Sequence, residues 1–372
     1  MNAFEERRKR LAASLGPRGV ALALFEDTEG RRDPSIRYLT GHPMDALLFI
    51  AADGRSVLVP WDVNMAAAMA SVERTIAYTD FARSPYKAVA GVLAELGVPA
   101  GAVVDLPSVT PYPMYIRYVE ENPDYDFLCS EESAQDHAVS MRAVKDAAEI
   151  AIYREVSAIT DRVMDRIEAG VKRGELKTEL DVGLFIERAL REEGCERTGF
   201  DTIAAGPSRS FGIHAFPSYG ASDFGVKGMS ILDFGLVYRG YTSDVTMTFV
   251  RGEPGAKQAE MIALVKKAYA EAEALCGPGV KSRDLALRVD AIFAEKGYAM
   301  PHALGHGIGL EAHEMPPVRS REDNTWVLAP GHIITLEPGL YDPAEGGVRL
   351  ENDILITENG YEVLTHSRIV YL

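Results

Sequence analysis

Apolar residues recur along this chain in two rhythms. Up to about residue 140 they come in short runs broken by turn residues. "GVALALFED" at residues 19–27 reads as a buried strand, and "DALLFIAADGRSVLVPW" at residues 45–61 as a hairpin turning at Asp53-Gly54, where glycine tolerates positive φ. "PYKAVAGVLAELGVPAGAVVDL" at residues 85–106 then predicts helix, turn and strand, so the first part is an α/β domain. From "MRAVKDAAEIAIYREVSAITDRVMDRIEAG" at residues 141–170 the rhythm becomes long and helical, with Ala148, Ile152 and Val156 and then Ile159, Val163 and Ile167 at helical spacing. The boundary is placed near residue 140, giving domains 1–140 and 141–372.

Inside the second domain the pattern repeats. "GVKRGEL" (170–176) returns as "GVKSRDL" (279–285), each leading into an amphipathic helix that stops at a glycine, Gly194 or Gly297. "HAFP" from His214 returns as "HEMP" from His313, and "ILDFGL" (231–236) as "TLEPGL" (335–340), which aligns Asp233 with Glu337. A second acid follows each, Asp244 and Glu351. The offsets of 109, 99 and 104 residues are close enough for one duplicated helix-helix-strand unit related by an approximate two-fold axis.

Such an arrangement brings four carboxylates into one space. Like charges in contact raise each other's pKa, so a dry cluster of four acids requires cations, and a pair of divalent metals meets that need. Taken alone, Asp233 reads as an ordinary strand-end acid. Asp244 in "YTSDVTMTF" and Glu351 in "GVRLENDILI" interrupt apolar strands, where a carboxylate is costly unless paired or metal-bound.

"HALGHGIGLEAHE" (302–314) holds three of the eight histidines, so it decides the fifth ligand. His302 and His306 match the spacing of a zincin helix, but no Glu follows His302 and the glycines weaken a helix. His306, without a counterpart in the first half, completes the ligand set, which leaves His302 and His313 to substrate and protons. Four carboxylates and an imidazole without thiolate favour Mn²⁺ or Co²⁺, with Zn²⁺ or Fe²⁺ as alternatives. Two such ions share a water whose pKa falls from about 15.7 towards 7.

Composition narrows the partners. With 39 basic against 55 acidic residues the net charge is -16, which repels phosphate backbones and anionic lipid and argues against nucleic-acid and membrane partners. Cys129, Cys195 and Cys276 are odd in number and lack metal spacing, so a reducing compartment is expected. The start of the chain lacks the apolar run of a signal peptide, and no stretch approaches a membrane span; a cytoplasmic protein is expected. His42 and His137 stand alone and read as structural.

Together, "HALGHGIGLEAHEMP", "ILDFGLVYRGYTSDVTMTF", "TLEPGLY" and "GVRLEND" make the chain resemble the pita-bread metallopeptidases of the Xaa-Pro dipeptidase (prolidase) and aminopeptidase P group, with a creatinase-like N-terminal domain. The resemblance implies an α/β domain followed by an α+β pita-bread catalytic domain, and two divalent ions per chain on Asp233, Asp244, His306, Glu337 and Glu351, with Asp244 and Glu351 bridging. It puts His214 and His313 around the scissile carbonyl, His302 at the substrate pocket, Arg349 behind the ligand carboxylates, and Glu337 in reach of the water's proton. It implies hydrolysis of Xaa-Pro dipeptides by a homodimer. Removal of N-terminal residues before proline, or a non-peptide C–N hydrolase or lyase reaction, stay open. Met247 and Pro317 stand where the family often has basic residues, so Arg319 and Arg321 are the candidate partners for a substrate carboxylate.

Overall fold

The short apolar runs of the N-terminal part form one mixed sheet. In the computed structural model, which describes residues 2–372, the chain divides into one unit ending at Arg142 and a second from Ala143 to Leu372. The six strands of the first unit lie in the order Arg74–Thr75, Ser56–Pro60, Ala46–Ala51, Val20–Asp27, Val103–Asp105 and Asp126–Leu128. Ala46–Ala51 pairs antiparallel with both neighbours, and the turn joining it to Ser56–Pro60 carries Gly54 at φ 91°, a conformation only glycine adopts without strain. Ala46–Ala51 is buried throughout and Val20–Asp27 at every position but the half-buried Ala21, which is why they read as unbroken apolar runs rather than alternating ones. The helix Pro85–Leu96 starts under a Ser84 cap and buries Val89, Val92 and Leu93 against Leu22, Phe49 and Val104. His42 is buried among the unit's residues and His137 is exposed.

The second unit carries two helix pairs, Ala147–Lys172 with Glu179–Glu192 and Ala256–Ala274 with Ser282–Ala294. Each pair leads into its own sheet. One runs Ile369–Tyr371, Val245–Arg251, Gly228–Phe234, Ile203–Ala205; the other runs Glu314–Val318, Gly305–Gly307, Ile333–Leu336, Asn352–Thr357, Gly360–Val363. The α+β architecture implied by the family resemblance is present, with the duplicated helix pair and strands expected from the repeat. The sheets touch where Thr246 forms a lone bridge with Glu351, whose N–H donates to Thr246 O at 3.2 Å.

One expectation needs correction. The helical rhythm from residue 141 is interrupted: one helix ends at Arg142, Val144 bridges to His332, and a new helix begins under an Asp146–Glu149 capping box. Ala148 is exposed, while Glu149 and Tyr153 take the inner face of the first turns because the Tyr241 hydroxyl donates to Glu149. From Val156 to Ile167 the apolar face is as read.

Candidate metal centre

Asp233 is the penultimate residue of the apolar strand Gly228–Phe234, Asp244 directly precedes Val245–Arg251, Glu337 directly follows Ile333–Leu336, and Glu351 directly precedes Asn352–Thr357. Each acid therefore sits where a paired strand begins or ends, on backbone that the ladders hold still. The register pairs Asp233 with Thr246 and, in the other sheet, Leu336 with Asn352, which brings Glu337 level with Glu351. His306 lies in the middle of the three-residue strand Gly305–Gly307.

The side chains converge on a cavity of about 460 Å³ lined by Asp233, Asp244, His306, Glu337 and Glu351 together with His214 and His313. Phe200, Ile203, Phe216 and Pro217 form its apolar wall, and Asp201 and Ser218 add polar groups. Ligand atoms of Asp244, His306 and Glu351 all lie within 4.8 Å of one another, the only such group of His, Cys, Asp and Glu among the described residues. A larger groove of about 720 Å³ is lined by residues of the N-terminal unit, where Asp53 pairs with Arg55 and Glu95 with Arg74.

The carboxylates are under strong electrostatic stress. Burial, and then the charges of Glu351, Asp233, Asp353 and Glu337, hold Asp244 far above the usual carboxylate range. Glu337 is raised by burial and by Glu351, and Glu351 is pushed up to about 8 by burial and by Asp233. Asp233 is also raised by burial, although Arg349 works against the shift. Four acids in this state demand positive charge. The donors fit a divalent pair: all are oxygens except one imidazole nitrogen, and the buried Asp233 Oδ1 has no hydrogen-bond partner.

His306 is prepared as a neutral ligand. Its Nδ1 donates to Gly307 O at 3.1 Å, which leaves the Nε2 lone pair facing Asp244 Oδ2 at 3.8 Å and Glu337 Oε1 at 3.7 Å. Those separations are too long for hydrogen bonds and suit groups that share an ion. Burial, and then neighbouring His313, lower its pKa to about 3, so it is unprotonated at neutral pH.

Behind the acids lies a network that joins the sheets. Arg349, 1% exposed, donates from Nη2 to Asp233 Oδ2, from Nε to Thr246 Oγ1 at 2.9 Å and from Nη1 to Tyr341 Oη at 2.7 Å. The Thr246 hydroxyl in turn donates to Glu351 Oε2 at 2.7 Å. Tyr341 Oη meets His302 Nε2 at 2.9 Å while His302 Nδ1 faces Ala303 O at 2.8 Å. A carbonyl can only accept, so Nδ1 carries the proton and the tyrosine hydroxyl donates to Nε2.

The structure thus brings Asp233, Asp244, His306, Glu337, Glu351, His214 and His313 around one cavity, with Arg349 directly behind Asp233. His302 is outside the lining, with both ring nitrogens bound to Ala303 and Tyr341. Arg319 and Arg321 are outside it too: both donate to Asp323 on an exposed loop, so the expected carboxylate partners do not reach the cavity. Sequence reading missed Tyr341, Thr246 and the apolar wall. Tyr341 closes "TLEPGLY" and Thr246 follows Asp244 by two, but neither residue type announces a network whose partners lie far along the chain.

The chain matches the model of metallopeptidase family M24 over residues 151–358 and that of the creatinase/prolidase N-terminal domain over residues 7–144. It is 33% identical over 374 residues to a Xaa-Pro dipeptidase of Pyrococcus horikoshii, covering 98% of both chains. Among solved structures it resembles a Xaa-Pro dipeptidase from Bacillus anthracis, with TM-score 0.85 and 29% identity over the full length of both. It also resembles an X-Pro aminopeptidase from Thermotoga maritima, with TM-score 0.83 and 26% identity over 98% of this chain and 99% of that one. These neighbours share the N-terminal α/β domain and the pita-bread arrangement of the second unit.

Proposed function

The chain belongs to metallopeptidase family M24, and from that premise we propose that it hydrolyses the imide bond of Xaa-Pro dipeptides at the cavity described above. The carrying observation is the convergence of four carboxylates, those of Asp233, Asp244 and Glu351 buried and that of Glu337 half-buried, and a neutral imidazole on that cavity. Asp233, Asp244, His306, Glu337 and Glu351 hold two divalent ions, Mn²⁺ or Co²⁺ in preference to Zn²⁺ or Fe²⁺ given the oxygen-rich donor set. When bound, the ions supply Lewis acidity and bring a water's pKa towards about 7.

The protein's own groups do the rest. Arg349 orients the Asp233 carboxylate and favours its ionised form against the effect of burial, and Thr246 does the same for Glu351. Glu337 is the base that takes the attacking water's proton. His313 is held below its ordinary pKa by burial and by His214, so at neutral pH it is an N–H donor for the oxygen that gains charge as the carbonyl is attacked. His214 flanks the same carbonyl. Phe200, Ile203, Phe216 and Pro217 offer the proline ring an apolar surface and thin the water around the bond.

A second reading has an observation in its favour. Among the residues that line the cavity there is no lysine or arginine. The free carboxylate of a dipeptide would lack the fixed cation that usually receives it, because Arg349 has its donors on Asp233, Thr246, Tyr341 and Ile213 O. This favours peptides in which that carboxylate lies further along, an aminopeptidase P-like activity.

We also assign catalysis to residues 141–372, and the enzyme to the cytoplasm as a homodimer. Among the described residues no helix is long and apolar enough to cross a membrane, and the three cysteines are unpaired. Sedimentation checks the dimer.

One experiment decides the activity. Protein reconstituted with Mn²⁺, Co²⁺, Zn²⁺ or Fe²⁺ is assayed on Ala-Pro, Ala-Pro-amide and a longer Ala-Pro peptide. Faster cleavage of Ala-Pro than of its amide supports the dipeptidase. Equal rates, or faster cleavage of the longer peptide, support the aminopeptidase. No turnover of any of them defeats both and leaves the non-peptide reaction.

A further inference from the structure

The loop that carries His306 and His313 holds two glycines between them, Gly307 and Gly309, and glycine backbone does not keep its own shape. Something must keep it for them. Beneath the loop lies an ion pair with no part in the chemistry above: Lys145 Nζ stands 3.3 Å from Glu314 Oε2, and both side chains are 1% exposed.

Glu314 opens the strand Glu314–Val318, where it pairs with Gly307, and its side chain folds back under the loop. One carboxylate oxygen, Oε1, accepts the Glu311 N–H at 3.2 Å. The other lies so close to Gly309 that a Cβ there would stand 2.1 Å from it. The loop backbone is further tied by Gly309 N–H to Glu311 O at 3.0 Å and by Thr242 N–H to Gly309 O at 3.0 Å. Buried backbone N–H groups need acceptors, and a buried carboxylate that serves as one needs a cation of its own. Lys145 is that cation. Its position is set by its backbone N–H, which donates to Gly331 O at 2.8 Å, and its Nζ also reaches Ala143 O at 3.5 Å.

Consecutive residues entering a strand point to opposite faces, so a Glu314 anchored inward turns His313 outward to the cavity. The His313 ring lies 4.2 Å from that of His306, so the same anchor bears on both imidazoles. We propose that Glu314 and Lys145 are positioning residues for His313: their buried pair holds the Gly307–His313 loop in the one shape that aims the imidazole at the reacting carbonyl. The role rests on the peptidase reading above.

The test is a double-mutant cycle with His313. Glu314→Gln keeps an acceptor for Glu311 N–H and removes the charge. In the metal-loaded enzyme it is expected to lower kcat by about 10- to 100-fold, with KM changed less than about 3-fold and two ions retained, as for a catalytic group displaced by a fraction of an ångström. In a His313→Ala background the same change is expected to cost less than about 2-fold, because the group it positions is gone. Where Glu314→Gln alone does not fold, Lys145→Met with Glu314→Gln removes both charges together and carries the same cycle. Equal losses in the two backgrounds, or wild-type kcat in the Glu314→Gln or paired variant, would overturn the role. A wild type that cleaves no proline peptide would overturn the peptidase reading itself, and this role with it.

Discussion

The two halves of the catalytic unit share a backbone plan and divide the chemistry unequally. The first contributes two aspartates, Asp233 and Asp244, and His214; the second contributes two glutamates, Glu337 and Glu351, and His302, His306, His313 and Arg349. More telling is who holds whom. The first half's Asp233 is gripped by Arg349 of the second, and the second half's Glu351 receives its hydrogen bond from Thr246 of the first. Thr248 Oγ1 likewise donates to Arg349 O at 2.8 Å and accepts from its N–H at 3.1 Å. Duplication explains where the acids stand. The crossed anchoring explains why neither half can build the centre alone.

Removing the group with no counterpart in the first half should do most damage. His306→Ala is expected to lose at least one of the two ions and to lower activity by more than about 10³-fold, since the bound ions supply the nucleophile. Elemental analysis reads the first effect, and an unchanged metal content would remove His306 from the ligand set. The paired histidines come next. His214→Ala and His313→Ala should each keep both ions while kcat falls by roughly 10² to 10⁴, the range for a proton donor or oxyanion partner. Metal lost from either would make that histidine a ligand.

Thr246→Val sharpens the contrast at smaller cost. It leaves Glu351 and Arg349 each short of one buried partner, so a destabilisation of about 1–3 kcal/mol is expected, with a kcat loss of roughly 10-fold. The same substitution at Thr248, which holds Arg349 through its backbone alone, should lower stability while leaving kcat within about 3-fold. Denaturant unfolding and steady-state kinetics on the two variants separate the cases; equal kcat losses would show that the anchoring of Glu351 has no special weight.

The smallest effect concerns pH. In the metal-free protein the Glu351 carboxyl is pushed up from 4.5 to about 8, so between those values the folded chain holds a proton that the unfolded chain releases. That contribution is complete below about 4.5 and disappears as pH rises through about 8. With chelator present, the melting temperature should fall by roughly 5 °C between pH 5 and pH 8. Saturating Mn²⁺ should flatten the slope. A metal-free protein whose melting temperature does not fall over that range would mean the acids are not in mutual contact.

The acids were legible in the sequence because each interrupts or ends an apolar strand, and because two interruptions at matched offsets are hard to obtain by chance. The hairpin at Gly54 was legible for a local reason, a turn residue between two apolar runs. What stayed hidden was non-local. Nothing in residues 141–150 says that Val144 leaves the helix to meet His332, since the residues around it are good helix formers. Arg319 and Arg321 lie close to His313 in sequence, but the strand Glu314–Val318 carries the chain away from the cavity. Asn324, which donates to Arg319 O at 3.0 Å, then fixes the loop at the surface. Tyr341 escaped notice because its value lies in joining Arg349 to His302, 39 residues upstream of it.

The meeting of the sheets at Thr246 and Glu351 has a mechanical consequence. Ions shared by acids from both halves would act as a cross-link, in the way a disulfide staples distant segments, but one whose strength depends on how much free metal surrounds the protein. Stabilisation from a bound ion grows as the logarithm of its free concentration, reaching about 2.7 kcal/mol at a hundredfold excess over its dissociation constant. A chain cleaved at the exposed turn Glu253–Gly255, between the strand Val245–Arg251 and the helix Ala256–Ala274, would leave Asp233 and Asp244 on one fragment and His306, Glu337 and Glu351 on the other. Such fragments should stay together in metal and separate in chelator, which makes the centre a clasp as well as a catalyst.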